Sequence, residues 1–287
     1  MKTRGQVLLT LGFLFAANLA AWSAVFYYHF SSEKMEAVFF DVGQGDAIFI
    51  KTPQGHQILI DGGPDSAVLE KLAENIPFWD RDIDMIISTH LDKDHLFGLL
   101  EVLKSYKVDN IVWSGISKET AGAGEWQKLK EEEKTGEGAK EEIVAAGQMI
   151  VAGDVRLSVL YPVGDSGPAN GDNDDSLVIR LDRGQNSFLF CADIGAKGEK
   201  ELVDSAKNIS AQVLKVSHHG SKYSTSQTFL DKVSPRFAIV QVGKNSYGQP
   251  AEEVLTRLQK SGITTLRTDI DGDIKVIADG NTIQIKN

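Results

Sequence analysis

The chain has 287 residues, 42% hydrophobic and 24% charged, enough to bury a sizeable core in one large domain or two smaller ones. Its formal net charge is −10, so the Lys/Arg excess that usually advertises a duplex-DNA surface is missing. A single cysteine, Cys191, excludes an intramolecular disulfide framework.

The N-terminal stretch stands apart. From Val7 to Tyr28 run 22 uncharged residues, which at about 1.5 Å per residue span the hydrocarbon core of a bilayer. Lys2 and Arg4 precede the run, and Trp22, Tyr27 and Tyr28 cluster toward its far end as interfacial anchors would. The pattern predicts a single-pass anchor and linker over residues 1–34, with the N-terminus cytoplasmic and the rest of the chain outside the cytoplasm. A cleaved signal peptide is the competing reading, but its apolar core is ordinarily shorter, roughly 7–15 residues.

Residues 35–287 read as one mixed domain. Strands are expected at Ala37–Phe40, Ala47–Ile50 and Gln57–Ile60, with a turn at Asp61-Gly62-Gly63-Pro64 and a helix over Ser66–Asn75. Asp84–Ser88 is a buried strand, Leu96–Leu103 a helix and Asn110–Trp113 another strand. Residues 117–147, rich in Gly, Glu and Lys, are expected to form a solvated helix with flexible turns. Further strands follow at Val155–Tyr161, Leu177–Leu181, Phe188–Cys191, Val213–Val216, Phe237–Gln241, Ile274–Ile277 and Thr282–Ile285, with helices near Gly198–Ala206 and Glu252–Lys260. Strands in both halves with interspersed helices imply two packed sheets with helices outside.

The chemistry collects at strand ends. Between the strand Asp84–Ser88 and the helix after it, six residues hold four metal-ligand types: His90, Asp92, Asp94 and His95. Imidazole suits zinc and carboxylate suits harder ions such as manganese, so the set leaves the metal open. Asp193 follows an apolar strand, as do His218 and His219, and the polar run Asp172–Asp175 precedes one. Loops at strand ends are where folds place functional groups, and recurrence at several such ends points to one site.

His90-x-Asp92-x-Asp94-His95 resembles the ligand signature of the metallo-β-lactamase superfamily, with Asp61-Gly62-Gly63, Asp193 and His218-His219-Gly220-Ser221 resembling its other motifs. More narrowly, Asp41–Ala47, Ser176–Val178, Leu214–Ser221 and Thr268-Asp269 with Gly272 resemble the C-terminal hydrolase domain of ComEC-type competence proteins. The resemblance implies an α/β fold, a four-layer αββα sandwich, holding two divalent metal ions (zinc or manganese). His90 and Asp92 would serve one ion, with a further ligand from Asp172–Asp175. Asp94, His95 and His218 would serve the other, with Asp193 as the bridge and Asp61 orienting the ligand loop. His219 would face substrate, and Ser221 and Gln249 would bind it. Gln249 is a departure, standing in Tyr247-Gly248-Gln249-Pro250 where the family often has His; Gln donates a hydrogen bond but cannot act as an acid. The multi-span channel region of ComEC proteins is also missing from this chain, which implies a separate membrane channel partner.

A membrane-anchored metallo-hydrolase follows as the expectation, most plainly a phosphodiesterase or nuclease acting on DNA outside the cytoplasm. Two cations activate a water and clamp both attacking and leaving oxygens, and Asp94 would orient that water or take its proton. The alternatives are hydrolysis of a small cell-wall or lipid head-group phosphoester, or a non-catalytic metal-binding module.

Overall fold

The computed structural model describes residues 3–30, 34–162, 175–205 and 207–286, with side chains omitted at 24–30. An exposed apolar helix, α1 (Arg4–Phe30), comes first; its segment Arg4–Ser23 is long and apolar enough to cross a membrane. Then follow β1 (Met35–Phe39), β2 (Ile48–Lys51), β3 (Gln57–Ile60), α2 (Ala67–Asn75), β4 (Asp82–Ser88), α3 (Lys93–Ser105), β5 (Lys107–Trp113), α4 (Ala121–Gly136) and β6 (Lys140–Ile143). The second half runs β7 (Met149–Ala152), β8 (Val155–Tyr161), β9 (Val178–Arg183), β10 (Asn186–Phe190), α5 (Ala196–Asp204), β11 (Val213–Lys215) and α6 (Gln227–Val233). It ends with β12 (Phe237–Val240), α7 (Glu252–Lys260), β13 (Thr264–Arg267), α8 (Thr268–Asp271), β14 (Ile274–Ala278) and β15 (Ile283–Lys286).

The strands make two sheets, ordered β15-β14-β1-β2-β3-β4-β5-β6 and β13-β12-β11-β10-β9-β8-β7. Period-two alternation decides what each face buries. Met35, Ala37 and Phe39 of β1 meet Phe188 and Phe190 of β10 between the sheets, whereas Val38 turns outward to the cluster that α2, α3 and α4 cover. On the second sheet Ala238 and Val240 of β12 turn outward to α5, α6 and α7, while Ile239 faces inward. The result is the four-layer αββα sandwich. In each sheet one set of neighbouring strands is parallel, β3 through β6 and β10 through β13. Their carboxyl ends are where such sheets place ligands.

The acidic segment departs from expectation. α4 is a core helix, with Trp126, Leu129, Lys130 and Glu133 buried, and β6 closes the edge of the first sheet. Lys130 lies under the Trp113 ring, its ammonium 3.7 Å from the centroid, and pairs with Glu141 on β6. Burial pulls the Lys130 ammonium below its usual range. Burial works the other way on Glu141, but Lys130, Lys134 and the Trp113 indole outweigh it and hold the carboxyl down at about 2. A paired charge inside a core looks, in sequence, like a solvated one. The short elements β7, α6 and β13 also lie outside the expected set, each too brief to carry a readable period.

Candidate metal centre

The site is built on backbone contacts before any side chain. β3 ends at Asp61, whose φ of 56° is left-handed, and runs into Gly62-Gly63. A Cβ on Gly62 would sit 2.3 Å from the Leu99 nitrogen, and one on Gly98 1.8 Å from the Gly62 oxygen. Glycine at both positions therefore lets α3 press onto the loop. Gly62 N–H donates to His95 O (2.8 Å) and Gly98 N–H to Gly63 O (3.0 Å). These bonds fix His95 against Asp61. Three further non-glycine residues in left-handed backbone, Ala192, His218 and His219, flank or form the same centre. Such conformations cost about 1–3 kcal/mol each and persist where the surroundings enforce them.

Hydrogen bonding then sets the tautomer of each imidazole. His219 Nδ1 lies 2.8 Å from the Gln241 carbonyl, which can only accept, so Nδ1 carries the proton. His95 Nδ1 faces Asp61 Oδ2 at 2.8 Å. Thr89 donates its hydroxyl to Asp61 (2.7 Å) and its N–H as well (2.8 Å), so toward His90 Nδ1, at 3.0 Å, the hydroxyl accepts. Each neutral ring thus keeps its lone pair on Nε2, and all three Nε2 atoms are buried without a hydrogen-bond partner. Asp193 Oδ1 is orphaned in the same way beside them. Orphaned buried acceptors are costly. Converging as they do, they are the signature of a cation site.

Ligand atoms of Asp94, His95, Asp193 and His219 all lie within 4.8 Å of one another. Asp193 sits centrally: Oδ1 is 3.4 Å from His95 Nε2 and Oδ2 is 3.4 Å from His219 Nε2. Asp94 Oδ2 is 3.3 Å from the same His219 nitrogen. His90 lies beside His95, its ring tilted 52° with centroids 4.1 Å apart, and its Nε2 is 3.6 Å from Asp92 Oδ2. Asp92 makes no side-chain cap at the start of α3; its other oxygen takes the Lys118 ammonium. The donor set fits divalent cations, mixing three imidazole nitrogens with carboxylates.

The two neighbouring histidines divide otherwise than the sequence reading expects. Both line the cleft, but His219 is fully buried with Nε2 3.3 Å from Asp94 and 3.4 Å from Asp193, whereas His218 is half-buried, its Nε2 3.8 Å from Asp193. The Gln241 carbonyl behind His219 pulls that ring inward. Ser221 is buried and does not line the cleft; its Oγ accepts from Tyr223 N–H (3.3 Å) within its own turn. Gln249 does line the cleft. Asp172–Asp174 lie outside the described residues. Asp175 is half-buried, and the strand after it is tied to the ligand loop by Leu177 N–H to Thr89 O (3.0 Å).

Two residues inside the quoted motifs, given no role there, also belong to the centre. Asp46, two residues before β2, is fully buried within 3.4 Å of His219 Nδ1 and 3.8 Å of His95 Nδ1. It pairs with Lys215, also fully buried, whose ammonium donates to Ala192 O (3.1 Å) and lies 3.7 Å from Asp193. A lysine in the apolar run Val213–Val216 was the available signal. Burial works to raise both carboxyls, but Lys215, His95 and His219 outweigh it at Asp46, and His219 and His95 at Asp193, holding both below the usual range, Asp193 far below. Burial works to lower His95 and His219, yet Asp193 and Asp46 drive both imidazoles well above their ordinary value. Burial, seconded by His95, drives His90 the other way. Without a metal these carboxylates draw protons onto His95 and His219, and a divalent cation in the same space would take the place of those protons.

The centre opens into a cleft of about 560 Å³ whose walls include Gln44, Lys93, Asp94, His218, Lys244 and Gln249.

Comparison with known proteins agrees with this geometry. The chain is 35% identical over 270 residues to ComE operon protein 3 of Bacillus subtilis (strain 168), covering 88% of this chain and 34% of that one. It is 32% identical over 270 residues to competence protein ComA of Neisseria gonorrhoeae, covering 90% and 36%. The chain thus spans about a third of the length of these relatives. Among solved structures, the metallo-beta-lactamase fold protein YhfI from Bacillus subtilis superposes with a TM-score of 0.58 at 13% identity, over 85% of this chain and 99% of that one, a likeness of fold. Residues 40–244 match the metallo-beta-lactamase superfamily and contain the whole constellation from Asp46 to Gln241, and the chain belongs to that superfamily.

Proposed function

We propose that this chain is a membrane-anchored, divalent-metal-dependent phosphodiesterase acting on DNA outside the cytoplasm, with α1 as its anchor and residues 35–287 as its hydrolase domain. The observation that carries the metal dependence is the convergence of orphaned His90 Nε2, His95 Nε2, His219 Nε2 and Asp193 Oδ1 on one open-mouthed space. Asp94, His95 and His219 would hold one cation, His90 and Asp92 a second, and Asp193 would lie between them. Bound zinc or manganese would supply Lewis acidity, lowering the pKa of a water and neutralising phosphoryl charge.

The protein's own groups do the rest. Asp61 holds His95 through Nδ1 and so fixes the direction of its lone pair. Asp94, about a third exposed at the cleft, orients the attacking water. His218 faces substrate from the cleft wall. Cys191 is fully buried and burial pushes its thiol up, so it offers no nucleophile. Exposed Lys93 and Lys244 at the cleft supply local positive charge to a chain whose net charge is −10. The relatives' names connect the reading to competence, and a membrane channel is the partner it calls for.

The test uses the full chain purified in detergent, stripped of metal and reloaded with Mn²⁺ or Zn²⁺. Metal-dependent cleavage of both bis-p-nitrophenyl phosphate and linear DNA, lost in Asp94→Ala and Asp193→Ala, is expected. Cleavage of the small ester alone would move the assignment to a head-group or cell-wall phosphoester. Absence of turnover with both cations bound would refute catalysis.

A further inference from the structure

The loop from Gly243 to Pro250 forms one wall of the cleft and is held rigidly. Asn245 anchors it: Nδ2 donates to Gly243 O (2.9 Å) and Gln249 O (2.8 Å), and Oδ1 accepts from Tyr247 N–H (3.0 Å) and Gln249 N–H (3.1 Å). Ala251 N–H to Gly220 O (2.8 Å) ties the loop's end to the turn that carries His218 and His219. Gly243 packs so tightly on the Gly43-Gln44 backbone that a Cβ would lie 2.4 Å from the Gly43 carbonyl carbon. The loop and the Asp41–Ala47 segment are therefore one rigid wall.

Across that contact runs a chain of hydrogen bonds whose direction is fixed at its start. The Gly243 backbone N–H can only donate, and its acceptor, at 3.3 Å, is Gln44 Oε1. The other end of the same amide, Gln44 Nε2, must then donate, and it meets Gln249 Oε1 at 2.9 Å. Gln249 Oε1 is thereby held toward Gln44. Among the described residues no hydrogen bond uses its Nε2, and Gln249 lines the cleft. An isolated glutamine could present either end of its amide; this one is set from outside the site.

We propose that Gln44 is a positioning residue that locks the Gln249 amide with its NH₂ end toward the cleft, making Gln249 a neutral donor to a phosphoryl oxygen of the substrate. The inference rests on the phosphodiester reading above and gives it a specific contact. A neutral donor suits phosphate across the whole working pH range, since it neither titrates nor releases a proton. It equally rejects groups that present only donors to this wall, because the amide cannot turn to meet them while Gln44 holds it.

Gln44→Glu inverts the arrangement. A carboxylate at 44 accepts from Gly243 N–H with one oxygen, and its other oxygen draws Gln249 Nε2, turning Gln249 Oε1 into the cleft. Gln44→Met only releases the amide. The experiment uses the full chain in detergent, loaded with Mn²⁺. It measures the Kd of inorganic phosphate by calorimetry, and KM and kcat for bis-p-nitrophenyl phosphate. Gln44→Glu should raise both the phosphate Kd and KM about tenfold or more, as expected for losing a hydrogen bond to a charged group, with manganese binding and kcat little changed. Gln44→Met should cost only a few-fold. Because the glutamate also adds charge, the same change is made in a Gln249→Met background, where the penalty should largely vanish. A penalty of equal size in both backgrounds would assign the effect to charge and overturn the proposal, as would a phosphate Kd unchanged in Gln44→Glu. If the unmodified chain binds phosphate but cleaves no phosphodiester, the proposed function fails while the phosphate cycle still decides the amide's orientation.

Discussion

Gly98 is the position where fold and site meet most closely, and Gly98→Ala tests that connection. In a helix interior this substitution alone gains about 1 kcal/mol from propensity. Here the new methyl would lie 1.8 Å from the Gly62 oxygen and 2.9 Å from Val68 Cγ1. Restoring a separation of even 3.0 Å requires the helix and the Asp61–Gly63 loop to part by about 1.2 Å. Overpacking of that kind costs about 1–3 kcal/mol. The two backbone bonds across the contact, Gly62 to His95 and Gly98 to Gly63, are stretched with it, at about 1 kcal/mol each. The net expectation is a loss of about 2–4 kcal/mol, read as an earlier midpoint in urea. Intrinsic fluorescence can report it, because Trp113 and Trp126 sit in the same cluster as α3. The same displacement carries His95 from Asp61, so manganese affinity should fall together with stability. A variant as stable as the parent, or more so, with unchanged manganese affinity would refute the idea that this glycine pair sets the site.

Three other outcomes are expected. Asp61→Asn removes the carboxylate that Thr89 and His95 share, and titration calorimetry should show divalent-metal affinity reduced roughly 10- to 100-fold with the fold retained. Lys215→Met leaves Asp46 and Asp193 buried without their cation, and the metal-free protein should lose about 3–5 kcal/mol in urea unfolding, a loss that added Mn²⁺ partly restores. Glu141→Gln removes a carboxylate whose folded pKa is held down at about 2 by Lys130 and Lys134. A depressed carboxyl contributes stability above its unfolded pKa and loses it as pH falls toward the folded value. The stability gap between parent and variant should therefore be full at pH 7 and shrink progressively below about pH 4.3; a gap independent of pH would place the contribution in packing.

Much of this was legible from the chain. The His90–His95 hexad, Asp61, Asp193 and the His218-His219 pair stand out because ligand-type residues at strand ends are rare as a group, and the structure draws them together with Asp46. Two packed sheets with helices outside were legible too, from strands in both halves with interspersed helices, and the four-layer order followed from the family resemblance. The acidic stretch misled because Lys130 and Glu133 are charged yet interior, and only the Trp113 ring and Glu141, brought there by β5 and β6, make that burial tolerable.

By itself, then, the sequence determined the fold class, the apolar N-terminal span and the ligand types, because these follow from periodicity, length and side-chain chemistry. Tertiary structure decided which of two adjacent histidines turns inward, that Asp46 and Lys215 pair beneath the centre, and which end of Gln249 meets the cleft. Each of those depends on a partner far away in the chain: the Gln241 carbonyl for His219, β11 for Asp46, and Gly243 acting through Gln44 for Gln249. A hydrogen bond's direction is a property of two groups at once, and no local pattern contains it.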